Sequence, residues 1–150
     1  MNKNLIKTRL RELPQLDIDA AHAYDQALGK IQDESIRSQL SQCREDHLKH
    51  LEALSPMLHG MGVIPPEYSS EFKSFLTSGF TSLRYISGTS GTLKALLANE
   101  KLIHQKYREA EELEMEGELS TLIKTHLEDE NRHLSYLDEA IDRMYAKMTS

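Results

Sequence analysis

Cysteine occurs once in the 150 residues, at Cys43, which excludes a disulfide within the chain and any Cys-x-x-Cys knuckle for iron or zinc. Tryptophan is absent. Glycine and proline concentrate between residues 56 and 91 and are sparse elsewhere, so helix breakers are missing from the remainder of the chain. The longest apolar runs, such as Ala95-Leu96-Leu97-Ala98, fall far short of the roughly 20 residues that a bilayer span requires. No signal-peptide pattern opens the sequence, so a cytoplasmic protein is expected, with no membrane partner. No cluster of five or more basic residues occurs and the formal net charge is −6, which argues against a nucleic-acid partner.

What remains is rich in Leu, Ala, Glu and Lys and reads as helix. The length fits a single domain spanning 1–150, large enough to bury roughly two thirds of its unfolded surface. Apolar residues recur in alternating steps of four and three. Leu13, Asp17, Ala20, Tyr24, Ala27 and Ile31 form the first stripe, with Pro14 expected to separate it from a weakly amphipathic basic N-terminal turn. The second stripe is Ile36, Leu40, Cys43, His47, His50, Leu54, Met57 or Leu58, and Met61, with Asp33 placed to cap its helix. Leu93, Leu96, Glu100, Ile103, Tyr107 and Ala110 form the third, with Thr92 as its expected cap. Leu119, Ile123, His126, Glu130, His133, Leu137 and Ile141 form the fourth. The expected helices span about 14–32, 34–60, 92–114 and 117–147. A crossover of about residues 62–91, relieved by a short helix around Glu71 to Leu76, is long enough to travel the length of a bundle.

Carboxylates and imidazoles occupy seam positions in these stripes. They also repeat. A shift of 83 residues lays Asp17 on Glu100, Tyr24 on Tyr107, and Asp46-His47-x-x-His50 on Asp129-Glu130-x-x-His133. Measured from turns near residues 32 and 116, Asp17, His47, His50, Glu100, Glu130 and His133 reach one height at about 1.5 Å per residue. Buried ionisable groups cost several kcal/mol unless paired or bound to metal, so six at one level point to a metal site or to a mutually satisfied polar layer that sets helix register.

A carboxylate seven residues before a tyrosine on the first and third helices, with Glu-x-x-His on the fourth, resembles the ferritin-like superfamily, its rubrerythrin branch in particular. The segments Leu-Asp-Ile-Asp-Ala-x-x-Ala-Tyr and Asp-His-x-x-His-Leu-x-x-Leu are similar to small bacterial ferritin-like domains of unknown function. The resemblance implies an all-α four-helix bundle of two hairpins. It implies metal ligands at Asp17, His50, Glu100, Glu130 and His133, with His47 where the family has glutamate. Asp46 and Asp129 would orient histidines on facing helices, and Tyr24 and Tyr107 would stand beside the site as hydrogen-bonding or redox-accessible phenols. The cofactor expected is iron, one or two ions, with zinc or manganese as alternatives. The activity expected is oxidation of iron, or reduction of dioxygen or peroxide, in a homo-oligomer (a dimer first), served by a separate electron-donor protein because one cysteine cannot build a rubredoxin centre. The competing expectation is a non-catalytic structural bundle with a degenerate site. His104 and His126 read as core or supporting residues, His22 and His59 as solvent-facing, and Cys43 as a small buried apolar residue.

Overall fold

Pro14 has no amide hydrogen for the carbonyl of Leu10, yet the first helix runs straight through it. The computed structural model describes residues 3–68, 80–113, 115 and 117–149. They form α1 (Lys3–Leu28), α2 (Glu34–Gly60), α3 (Thr89–Glu111) and α4 (Glu118–Thr149), with no strand among them. The expected break at Pro14 is therefore corrected. Burial explains it: Leu10, Leu13 and Leu16 are all enclosed in one apolar cluster with Leu54, Leu58, Ile103 and Ile123, and this outweighs the single hydrogen bond lost. Arg9 also pairs with Glu109 at 2.9 Å, which holds the basic N-terminal turn against the end of α3.

Asp33 caps α2 as expected, its carboxylate accepting from the Ile36 amide at 2.9 Å. The start of α3 differs from expectation. Gly88, at a positive φ of 81°, precedes the helix, and Thr92 lies inside the first turn with its hydroxyl donating to the Gly88 carbonyl at 2.8 Å. Gly117, also at φ 81°, makes the tight entry to α4.

α1 packs on α2 and α3, and α4 packs on α3 and α2. The Arg9–Glu109 pair joins the start of α1 to the end of α3, so those neighbours are antiparallel. The order is thus up, down, down, up, and the crossover carries the chain from the end where α1 begins to the end where α1 finishes. Its described parts are held by specific bonds. Val63, Phe80 and Leu83 enter the core, and the buried Asn99 side chain accepts from the Thr81 amide (2.8 Å) and donates to the Thr81 carbonyl (3.1 Å). The short helix expected around Glu71 to Leu76 lies outside the described residues.

His22 is a second correction. It is buried, not solvent-facing, and stacks on Tyr68 with ring centroids 5.1 Å apart. The Tyr68 hydroxyl meets both Asp25 (3.1 Å) and Arg44 (3.1 Å), so the departing chain covers this face of α1 and α2. His59 is exposed as expected.

Two apolar clusters fill the two ends of the bundle. One holds Ala27, Ile31, Leu40, Leu93, Leu96 and Leu137; the other is built on Leu10, Leu13, Leu54, Ile103 and Ile123. The polar layer lies between them. Because α1 begins before Pro14, Leu10→Ala should cost about 2–5 kcal/mol in urea unfolding, as expected for a buried leucine. Leu5→Ala, on a half-exposed side chain, should stay within about 0.5 kcal/mol. Equal small effects would return the N-terminal segment to a frayed turn.

Candidate metal centre

Each helix sends its seam polar residues to one level: Asp17 from α1, His47 and His50 from α2, Glu100 from α3, Glu130 and His133 from α4. None is more than 2% exposed. The i,i+3 spacing of His47/His50 and Glu130/His133 places each pair on one helix face, and the stripe turns that face inward.

The contacts follow the repeat. His50 Nε2 lies 2.8 Å from Asp129 Oδ2, and its counterpart His133 Nε2 lies 2.9 Å from Asp46 Oδ2. On the inner side, His50 Nδ1 is 3.3 Å from Asp17 Oδ1 and His133 Nδ1 is 3.1 Å from Glu100 Oε2. Asp46 and Asp129 thus each hold a histidine on the facing helix by its outer nitrogen and leave the inner one facing the layer. His47 is held differently. Its Nδ1 is 2.8 Å from Asp17 Oδ1 and its Nε2 is 2.7 Å from Glu100 Oε1, so both nitrogens are spent inside the layer.

The tyrosines part company here. Tyr107 donates to Asp17 Oδ2 at 2.6 Å, whereas the Tyr24 hydroxyl is buried without a hydrogen-bond partner. Both oxygens of Glu130 share that condition, the nearest imidazole nitrogens standing 3.5 to 3.8 Å away. His126 is a core residue as expected. It stacks on His50 at 3.8 Å, and burial, then the His50 charge, pushes its pKa down to about 4. His104 is half-buried and bonds Asn131 at 2.8 Å. Cys43 is buried.

Charge in the layer is shared out by these contacts. Burial raises Glu130 and the neighbouring Glu100 carboxylate raises it further, to about 8, so without metal it is neutral at pH 7. Burial also works against ionised Asp17, but hydrogen bonds and charges from His47 and His50 hold it down at about 2. Glu100 is kept well below the ordinary range against its own burial by His47 and His133. Burial disfavours charged His50, yet Asp129 and Asp17 raise it to about 9. His47 and His133 are raised likewise, chiefly by Glu100.

Two overlapping groups of donors come close enough to surround a cation. Asp17, His47, His50 and Glu130 make one, and His47, Glu100, Glu130 and His133 the other, each offering ligand atoms within 4.8 Å of one another. Glu130 and His47 are common to both. The mixture of carboxylate oxygen and imidazole nitrogen suits iron, manganese or zinc. The Glu130 oxygens, buried where the groups overlap and bonded by no imidazole, hydroxyl or backbone group, are of a kind that could hold such an ion.

All six expected ligands and all four expected supporting residues therefore meet in one place. Sequence reasoning missed Arg132, which pairs with Asp129 and stands 3.8 Å from Asp46, so one guanidinium faces both orienting carboxylates. Its i,i+3 spacing from Asp129 was the available signal.

Without metal, Glu130→Gln should be neutral or slightly stabilising at pH 7, while Glu100→Gln should cost about 3–5 kcal/mol by stranding buried imidazolium charge. The linkage has a definite sign. Glu130 has a folded pKa near 8, above its unfolded value, so its contribution is full below about pH 4.5 and is lost as pH rises through 8. Urea unfolding in chelator between pH 5 and 9 should therefore bring the parent down relative to Glu130→Gln; parallel curves would refute a protonated Glu130.

The profile of a family described as a domain of unknown function (DUF2383) matches residues 6–113, which takes in α1 to α3 and leaves Glu130 and His133 of α4 beyond its end. No curated protein matches the chain. Among solved structures, a conserved hypothetical protein, rv2844, from Mycobacterium tuberculosis superposes with a TM-score of 0.78 at 10% identity, covering 93% of this chain and 99% of that one. At that identity the likeness concerns the fold.

Proposed function

The chain belongs to the DUF2383 family, and we propose that it is a metal-binding protein of ferritin-like, rubrerythrin-related type that holds one or two ions in the polar layer, iron first and zinc or manganese as alternatives. One observation carries this reading: the Glu130 carboxyl is fully buried where the two donor groups overlap, with no hydrogen bond from any imidazole, hydroxyl or backbone group and only the Glu100 carboxylate to share its proton with. Leaving a buried polar group unsatisfied costs about 1–3 kcal/mol, and a cation there would remove that cost.

Asp17 and Glu100 supply one carboxylate to each group, and Glu130 has an oxygen for each. His50 and His133 present their inner nitrogens, fixed by Asp129 and Asp46 behind them. A bound redox metal would supply electron transfer to dioxygen or peroxide. The chain's own part is to exclude water, orient the imidazoles and hold the protons. With no cysteine-ligated centre to deliver electrons, the reading includes a separate donor protein, and a homodimer is the assembly proposed with it. No described helix is long and apolar enough to cross a membrane.

A second reading has its own support. Apart from Glu130 the six-residue layer satisfies itself, with three raised imidazoles facing Asp17, Glu100, Asp46 and Asp129 through reciprocal bonds. A structural bundle with a degenerate site would look this way.

His47 separates the two. An imidazole binds one ion per nitrogen, while a glutamate there would add a fourth carboxylate and a second bridging pair of oxygens. Anaerobic titration with Fe(II) should show His47→Glu rising toward two ions per chain and Glu130→Ala falling below the parent. Metal-free His47→Glu should be less stable by about 1–3 kcal/mol, because like charges then face each other in the core. Since Glu130 and His50 hold protons at pH 7 and metal must expel them, parent affinity should climb between pH 6 and 9, with proton release measurable by calorimetry in two buffers. If neither protein takes up iron, zinc or manganese, and His47→Glu is as stable as the parent, the structural reading stands instead.

A further inference from the structure

The 83-residue repeat pairs Tyr24 with Tyr107, Cys43 with His126, and Asp17 with Glu100. In one half the set is closed. Tyr107 donates to Asp17 at 2.6 Å, and its ring is flanked edge-on by His50 (6.0 Å) and by His126 (5.7 Å), which itself stacks on His50. In the other half the same set is open. The acceptor equivalent to Asp17 is Glu100, but His47 Nε2 takes one of its oxygens and His133 Nδ1 the other. Tyr24, packed between His47 (5.8 Å) and His133 (6.5 Å) and 1% exposed, is left with a hydroxyl that no oxygen or nitrogen accepts from and that has only the Cys43 sulfur near it. Where His126 fills the closed half, the open half has only the side chain of Cys43, which is too small to stack on His133 as His126 stacks on His50.

A phenol hydrogen with no oxygen or nitrogen acceptor and a carboxyl bonded by no imidazole, hydroxyl or backbone group thus coexist in this one buried layer. A phenol keeps its proton at neutral pH and is a donor there. We propose that Tyr24 donates a hydrogen bond to a small exogenous acceptor, of the size of peroxide or azide, that binds the metal layer on the Cys43 side, so that a nearly symmetric centre takes its small-molecule ligand from one half only. This rests on the metal-binding reading. Tyr107 serves the structure, and Tyr24 serves the ligand.

Azide is the probe. The parent, Tyr24→Phe, Tyr85→Phe and Cys43→His proteins are loaded with iron, oxidised, and titrated with azide, whose binding to ferric ion is followed by its charge-transfer absorption. Loss of a hydrogen bond to a charged acceptor should weaken azide about tenfold or more in Tyr24→Phe, with iron stoichiometry unchanged. The exposed Tyr85→Phe, outside the layer, should stay within about twofold of the parent. Cys43→His, which fills the open side, should abolish binding. Melting the metal-free proteins gives a readout independent of iron: Tyr24→Phe should match or exceed the parent, since it removes a hydroxyl with no partner, while Tyr107→Phe should melt lower. Azide loss in Tyr85→Phe equal to that in Tyr24→Phe, unchanged azide affinity in Tyr24→Phe, or a Tyr24→Phe melting loss as large as that of Tyr107→Phe overturns the assignment while leaving metal binding intact. Failure of the parent to take up iron overturns the metal reading, and this inference with it.

Discussion

The bundle is organised by a lattice of buried carboxylate–imidazole contacts midway along its four helices. Asp46 and Asp129 reach across the α2–α4 interface to each other's histidines at 2.9 and 2.8 Å, and His47 ties Asp17 on α1 to Glu100 on α3. All four helices are therefore fixed in rotation and height by polar bonds that a one-residue slip would break. The apolar clusters at either end supply most of the burial but carry less register information, because leucines tolerate small displacements that a 2.8 Å hydrogen bond does not.

This lattice was legible in the sequence because it is periodic. Asp17, Glu100, Glu130 and the histidines stand at stripe positions whose neighbours are apolar, and the 83-residue repeat supplies their levels without any contact information. What escaped was set by partners that periodicity cannot see. The helix through Pro14 is stabilised by Leu10 and Leu13 meeting residues of α2, α3 and α4, and tertiary packing overrode the local breaker. His22 looked solvent-facing on its own helix and became buried because Tyr68, more than 40 residues on, folds back over it. Thr92 looked like a cap because threonine caps often, but the backbone freedom of Gly88 let the helix begin one turn earlier.

The repeat explains the symmetry of the lattice, and its imperfections mark where the halves differ chemically. His47 stands where exact repetition of the second half would place a glutamate, and Cys43 where it would place a histidine. The first difference inserts an imidazole between Asp17 and Glu100 that occupies one oxygen of each. The second removes a ring that would have packed beside Tyr24. Together they accompany the contrast between Tyr107, bonded to Asp17, and Tyr24, which has no oxygen or nitrogen acceptor.

Stability alone is a poor account of so many buried ionisable groups. Replacing buried ion pairs by apolar residues of similar volume is often neutral or stabilising by about 1–4 kcal/mol, and a single polar residue at one core position is enough to specify helix register. Six such residues at one height, two of them braced from behind by aspartates, exceed what register requires. The bracing is the telling part. A histidine that served only as a counter-ion would gain from having both nitrogens bonded inside the layer, as His47 does. His50 and His133 instead have their outer nitrogens held by Asp129 and Asp46, which fixes the inner nitrogens into the layer, against Asp17 and Glu100 and within 3.8 Å of Glu130. That arrangement aims two inner nitrogens into one buried layer, where a cation that displaced their protons would find its ligands already oriented.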